Sequence, residues 1–133
     1  SFATAQKIRS YVLKNTSIRK CGVIITDSRV MPLRSGVVGI ALGYAGFKGL
    51  RDYRGKHDIS GRRLTFTQTN VADSLATAAT LVMGEGAEKQ PLAIIEDAPV
   101  EFVTRVDRRE VHISRSNDMY GALFARKGAK RKR

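Results

Sequence analysis

The stretch Asn70-Val71-Ala72-Asp73-Ser74-Leu75-Ala76-Thr77-Ala78-Ala79-Thr80-Leu81-Val82-Met83-Gly84 decides the fold class. Its apolar positions Val71, Leu75, Ala78, Ala79 and Val82 recur at the three-to-four-residue spacing of one helical face. Asn70 is a favourable N-cap, because its side-chain oxygen can accept an amide of the first turn that has no partner inside the helix. Gly84 is a natural stop. A helix over residues 71–83 follows, and on either side of it the pattern changes to short β-branched runs.

Upstream, Cys21-Gly22-Val23-Ile24-Ile25-Thr26 reads as a strand buried on both faces that ends at Asp27-Ser28. Residues 37–47 also have strand character, with interior glycines Gly39, Gly43 and Gly46 that mark a bulge or a close approach by a backbone, a ligand or a packing partner. Residues 50–60 read as a charged loop and 62–67 as a strand. Before these elements, residues 3–13 form an amphipathic helix with Ala5, Ile8, Val12 and Leu13 near one face. Downstream, residues 91–95 read as a strand, 100–111 carry no decisive period, and 118–124 form a short helix. The expectation is an α+β fold in one domain over residues 1–125. It has a mixed sheet, one long and one or two shorter helices, and a disordered basic C-terminal tail over 126–133.

With 133 residues and 42% hydrophobic side chains, the chain supports one modest core. No apolar run approaches the roughly 20 residues of a spanning helix, and the N-terminus lacks the pattern of a signal peptide. A soluble, cytoplasmic protein without membrane association is expected. The lone Cys21 cannot form an internal disulfide and reads as a small buried residue rather than a nucleophile. The chain starts at Ser1 without methionine, as a processed product or a piece of something longer would.

Net charge is +12, and six of the 24 cationic side chains lie in residues 126–133. Such a run stays solvated and attracts polyanions in a salt-dependent way. Nucleic acid is therefore a candidate partner through the tail alone, although no aromatic side chains interleave with the charges to stack on bases.

Three segments carry candidate chemistry. Asp27 and Ser28, placed at a strand end, offer oxygen ligands suited to a hard cation such as Mg²⁺ or Mn²⁺, or simply open a turn. Met83, Gly84, Glu85, Gly86, Ala87, Glu88, Lys89 and Gln90 join the long helix to the next strand. Their glycines permit close backbone approach to a ligand, Glu85 and Glu88 can ligate a cation, and Lys89 can meet a phosphate. The spacing is not that of a Walker P-loop, and a glycine-capped helix followed by a solvated loop is the plainer alternative. Finally, Arg51, Asp52 and Tyr53 open a dense polar loop able to orient an acidic substrate or to hold itself together by surface ion pairs. His57 and His112 have no nearby nucleophile or metal partner in sequence and read as structural or exposed. The absence of Gly-x-Ser-x-Gly, Cys-x-x-Cys and His-Glu-x-x-His removes support for hydrolase and zinc chemistry.

Taken in order, Val23-Ile24-Ile25-Thr26-Asp27-Ser28 with Pro32-Leu33-Arg34-Ser35-Gly36, then Leu50-Arg51-Asp52-Tyr53-Arg54-Gly55-Lys56 with Asp58 and Gly61-Arg62, then Val71-Ala72-Asp73-Ser74-Leu75-Ala76 running into Leu81-Val82-Met83-Gly84-Glu85, resemble the coenzyme F420-0:L-glutamate ligase family. The likeness covers about residues 5–97 and is nearest to bacterial relatives described as folate-metabolism γ-glutamate ligases. It implies a ligase that uses GTP, divalent cations (Mg²⁺ or Mn²⁺) and L-glutamate. The acceptor it implies bears a carboxylate, as a coenzyme F420 precursor or a folate-like molecule does. It also implies a homodimer and an α+β fold.

By the resemblance, Asp27, Ser28 and Glu85 fall on metal-ligand positions, Glu85 where the family usually has glutamine. Residues 83–90 fall on the nucleotide-binding segment, and Arg34, Arg51, Asp52 and Tyr53 are candidates for orienting substrate. No catalytic residue is assigned. Leu33 stands where the family usually has an aromatic residue. An N-terminal half of the family, with a further metal aspartate and part of the nucleotide site, has no counterpart in the present sequence.

Overall fold

The structure, a computed structural model, describes residues 1–124. Its chain order is α1 (Phe2–Asn15), β1 (Val23–Val30), β2 (Val37–Ala45), β3 (Leu50–Asp52), β4 (Gln68–Asn70), α2 (Val71–Met83) and a single 3-10 turn, Gly121–Phe124. The α+β class expected from the sequence is what the molecule adopts. Its strands form two separate antiparallel pairs, β1 with β2 and β3 with β4, where one mixed sheet was expected. The two α-helices are nearly equal in length, at 14 and 13 residues.

Local chemistry sets the helix ends. Asn70 Oδ1 accepts the Asp73 amide at 3.0 Å while its Nδ2 donates to Asp73 Oδ2 at 2.6 Å, and Gly49 O accepts the Val71 and Ala72 amides at 2.8 and 3.2 Å, so the first turn of α2 has partners. Gly84 closes the helix with φ +78° while its amide donates to Thr80 O at 2.9 Å. At the end of α1, Thr16 donates to Val12 O through both its amide (3.0 Å) and its hydroxyl (2.9 Å).

The β1–β2 hairpin runs in register from Val23↔Ala45 to Val30↔Val37, with one slip between Ile25↔Gly43 and Thr26↔Ala41. Leu42 is the extra residue there, making a bulge. Beside it, the Ala41 amide donates 2.8 Å to Asp73 Oδ1 and so ties β2 to the first turn of α2. Both helices pack on this hairpin, and glycine makes the approach close enough. A Cβ at Gly39 would overlap the Thr80 side chain and lie 2.6 Å from Ala76 O, and one at Gly43 would lie 2.5 Å from the Phe2 amide nitrogen. The core centres on Tyr44, Phe47 and Ala72, with Phe2, Leu75, Val100 and Val111 packed around them. Ring centroids are 5.2 Å apart for Phe2–Tyr44 and 5.3 Å for Tyr44–Phe47.

Several local expectations are corrected. β1 begins at Val23 rather than Cys21 and continues through Asp27 and Ser28 to Val30, because pairing with β2 supplies hydrogen-bond partners that outweigh the turn preference of Asp-Ser. None of its residues is fully buried, since among the described residues β2 is its one strand partner and its other edge is unpaired. Cys21 is half-buried. Residues 50–52, read as loop, form β3. Residues 62–67 form no strand, keeping only an isolated Arg63–His57 bridge, and residues 91–95 are irregular. His57 and His112, read as structural or exposed, are exposed. The basic tail over 126–133 lies outside the described residues. Among the described residues no helix is long and apolar enough to cross a membrane.

Candidate functional site

Asp27 and Ser28 are consecutive strand residues, so their side chains leave opposite faces of β1. Asp27 is exposed and its Oδ1 accepts the Ser28 amide at 2.8 Å, while Ser28 is half-buried. One cation cannot take both side chains. Their oxygen chemistry suits Mg²⁺ or Mn²⁺, yet among the described residues no three His, Cys, Asp or Glu side chains converge to hold an ion. These residues fit part of a cation site and do not close one.

The 83–90 segment leaves α2 at Gly84 as an exposed loop. Glu88 folds back over it and accepts the Gly86 amide at 2.7 Å, occupying the space a Cβ on Gly84 would need. Lys89 adopts the left-handed region, at φ +56°. The amides of Gly84 and Gly86 are thus already engaged, and a phosphate that takes the Gly86 amide must displace the Glu88 carboxylate. Glu85 is exposed beside it. Met83 also lines an apolar cavity of about 330 Å³ between β1, α2 and residues 91–102, with Thr26, the neighbour of Asp27, on its wall.

The third segment is the one the fold assembles most completely. Arg51 Nη1 donates to the Tyr53 hydroxyl at 3.3 Å and Nη2 donates to Pro99 O. Asp52 accepts a fork from Arg54, Nε at 2.9 Å and Nη2 at 2.5 Å, together with the Arg54 amide at 2.9 Å. The guanidinium hydrogen bond first, and then the amide, hold the Asp52 carboxyl at a pKa of about 2. Lys56 Nζ lies 5.2 Å from the centroid of the Tyr53 ring. Arg51, Asp52 and Lys56 line a cleft of about 320 Å³ whose other wall is residues 99–101. Arg34, in the β1–β2 turn, is not among its lining residues.

Sequence reasoning missed that far wall. Lys48 and Glu101 pair at 2.6 Å, the Lys48 amide donates to Glu101 O at 2.9 Å, and Val103 donates to Gly46 O at 2.9 Å. Phe47 and Phe102 form an isolated antiparallel bridge. These contacts join residues more than fifty positions apart and leave no local period to read.

The family described as F420-0:Gamma-glutamyl ligase matches residues 1–97, which include β1, the hairpin, α2 and the loop after it. The chain belongs to this family. Among its relatives, the coenzyme F420:L-glutamate ligase of Methanococcus maripaludis is 46% identical over 99 residues, covering 74% of this chain and 40% of that one. The protein of the same name from Methanocaldococcus jannaschii is 46% identical over 99 residues, covering 74% and 39%. That of Methanopyrus kandleri is 49% identical over 81 residues, covering 61% and 32%. The chain therefore spans about 40% of the length of the first two of these curated F420:L-glutamate ligases. The far wall of the cleft, residues 99–101, lies just beyond the part that matches the F420-0:gamma-glutamyl ligase family.

Proposed function

We propose that this chain is a γ-glutamyl ligase, or the portion of one that carries the 83–90 nucleotide loop and the Arg51 cleft. The observation that carries the reading is the family match over residues 1–97, supported by relatives named for joining L-glutamate to coenzyme F420. The acceptor is a carboxylate-bearing molecule, a coenzyme F420 precursor or a folate-like compound. A carboxylate resists attack by an amine, so the acceptor is first activated: its oxygen takes the γ-phosphoryl group of GTP, releasing GDP and leaving an acyl phosphate. The glutamate amine then attacks the acyl carbon, the C–O bond to phosphate breaks, an amide forms, and the ammonium proton passes to solvent or a nearby base.

In this reading the exposed Met83–Gln90 loop contacts the nucleotide after Glu88 swings away, and Lys89 lies against its phosphates. Asp27, Ser28 and Glu85 each contribute an oxygen ligand toward divalent cations, Mg²⁺ or Mn²⁺, Asp27 and Ser28 serving different ions and the remaining ligands coming from outside the described residues. When bound, the cations offset negative charge on the phosphoryl group. A homodimer in a reducing, cytoplasmic setting belongs to the same reading.

Thermal unfolding with GTP and Mn²⁺ tests it. At a ligand concentration one hundred times Kd, binding stabilises the folded chain by about 2.7 kcal/mol. A clear rise in Tm that disappears in Asp27→Ala is expected. No rise for the native chain, or an equal rise for the variant, rejects the nucleotide and metal assignments.

A further inference from the structure

The cleft between β3 and residues 99–101 has a composition unlike the other cavities. Three cations (Lys48, Arg51, Lys56) and two carboxylates (Asp52, Glu101) line it, over an apolar base that includes Val100. Each carboxylate is matched: Asp52 by Arg54 and Glu101 by Lys48 at 2.6 Å. Among the described residues, neither Arg51 nor Lys56 has a carboxylate within salt-bridge distance.

Arg51 is also fixed in place. Pro99 O and the Tyr53 hydroxyl hold two of its nitrogens, so the remaining donors of the five on a guanidinium stay available on a side chain whose rotamers are already restricted. Lys56 lies against the same Tyr53 ring. A volume of about 320 Å³ falls at the lower end of the range for small-molecule sites, about 300–1,000 Å³. Two unmatched cations beside two carboxylates complement a molecule with two carboxylates and one ammonium.

We propose that this cleft binds the amino-acid substrate, a dicarboxylic α-amino acid, with Arg51 and Lys56 each taking a carboxylate and Asp52 and Glu101 facing the ammonium. The assignment rests on the ligase reading for the identity of the amino acid and on the cleft for its location. It makes residues 99–101, outside the family match, part of the substrate site.

Isothermal titration of the full 133-residue chain at low salt tests the assignment, with L-glutamate, L-glutamine, glutarate and inorganic phosphate as probes. L-Glutamate is expected to bind at least ten times more tightly than glutamine, which lacks one carboxylate, and than glutarate, which lacks the ammonium. Lys56→Gln changes an exposed side chain and is expected to weaken glutamate at least tenfold without moving the unfolding midpoint. Arg51→Gln is expected to weaken it further, and Arg51→Lys to recover only part of the loss. Three results overturn the proposal: no glutamate binding, phosphate binding as tightly as glutamate, or glutamate affinity unchanged in Lys56→Gln. Should Arg51→Gln fail to fold, Lys56→Gln decides. A chain that responds to GTP and fails here keeps the ligase reading and loses this site. A chain that binds glutamate here and ignores GTP does the reverse.

Discussion

Glu110 Oε1 accepts two hydrogen bonds of 2.6 Å, from the Tyr44 hydroxyl and the Gly49 amide, and so fastens the C-terminal segment to the middle of the core. Burial first, and then the Glu110 carboxylate, push the Tyr44 phenol above its usual pKa of 10.0. The folded state therefore keeps a proton that the unfolded chain loses, so stability present below about pH 10 declines as pH rises beyond it. Tyr44→Phe should flatten this alkaline decline. At neutral pH it should cost about 1.5–3 kcal/mol, the range for a hydrogen bond to a charged group, readable by urea denaturation at pH 7 and pH 11. Asp52 works in the opposite direction. With its folded pKa at about 2 against the ordinary 3.8, its contribution is complete above the higher value and is lost as pH falls through the lower. An NMR titration should find its carboxyl midpoint near 2, and Arg54→Gln should return it toward 3.8.

At the scale of elements, α2 organises its neighbours from both ends of its sequence. Asn70→Ala removes the N-cap and should cost about 1 kcal/mol. Because Asp73 both completes that cap and accepts the Ala41 amide, Asp73→Ala should cost more than the cap alone, leaving a strand amide without its partner. Gly39→Ala forces a methyl group against Thr80 and Ala76 O and should cost about 1–3 kcal/mol through a displaced helix. Chemical denaturation of the three variants orders these effects. The start and stop of α2 were legible because a cap, a 3.6-residue period and a glycine stop are local signals. The length of β1 was not, since Asp27 and Ser28 are held in strand by partners on β2 that the local sequence does not specify.

At the scale of the molecule, the buried apolar set among the described residues is small: Ala5, Tyr44, Ala45, Phe47, Ala72 and Ala76. Large side chains such as Leu81 (86%) and Ile94 (82%) remain exposed. Phe47→Ala removes one of the two largest buried side chains and should cost about 3–5 kcal/mol, a large share of the stability of a small domain. Far-UV circular dichroism at 25 °C should find that variant largely unfolded. By itself the sequence determined the α+β class, both α-helices with the caps of α2, the strand character of β1 and β2, and the family likeness, because each is written in residues close together in the chain. It also flagged Arg51, Asp52 and Tyr53 as a polar cluster. Only the tertiary structure decided that Asp27 and Ser28 face opposite ways, that Glu88 covers its own loop, and that Pro99 and Glu101 close a cleft over Arg51. Those outcomes depend on strand pairing and on contacts between distant segments, whose free energy comes from the assembled core and leaves no period in the sequence.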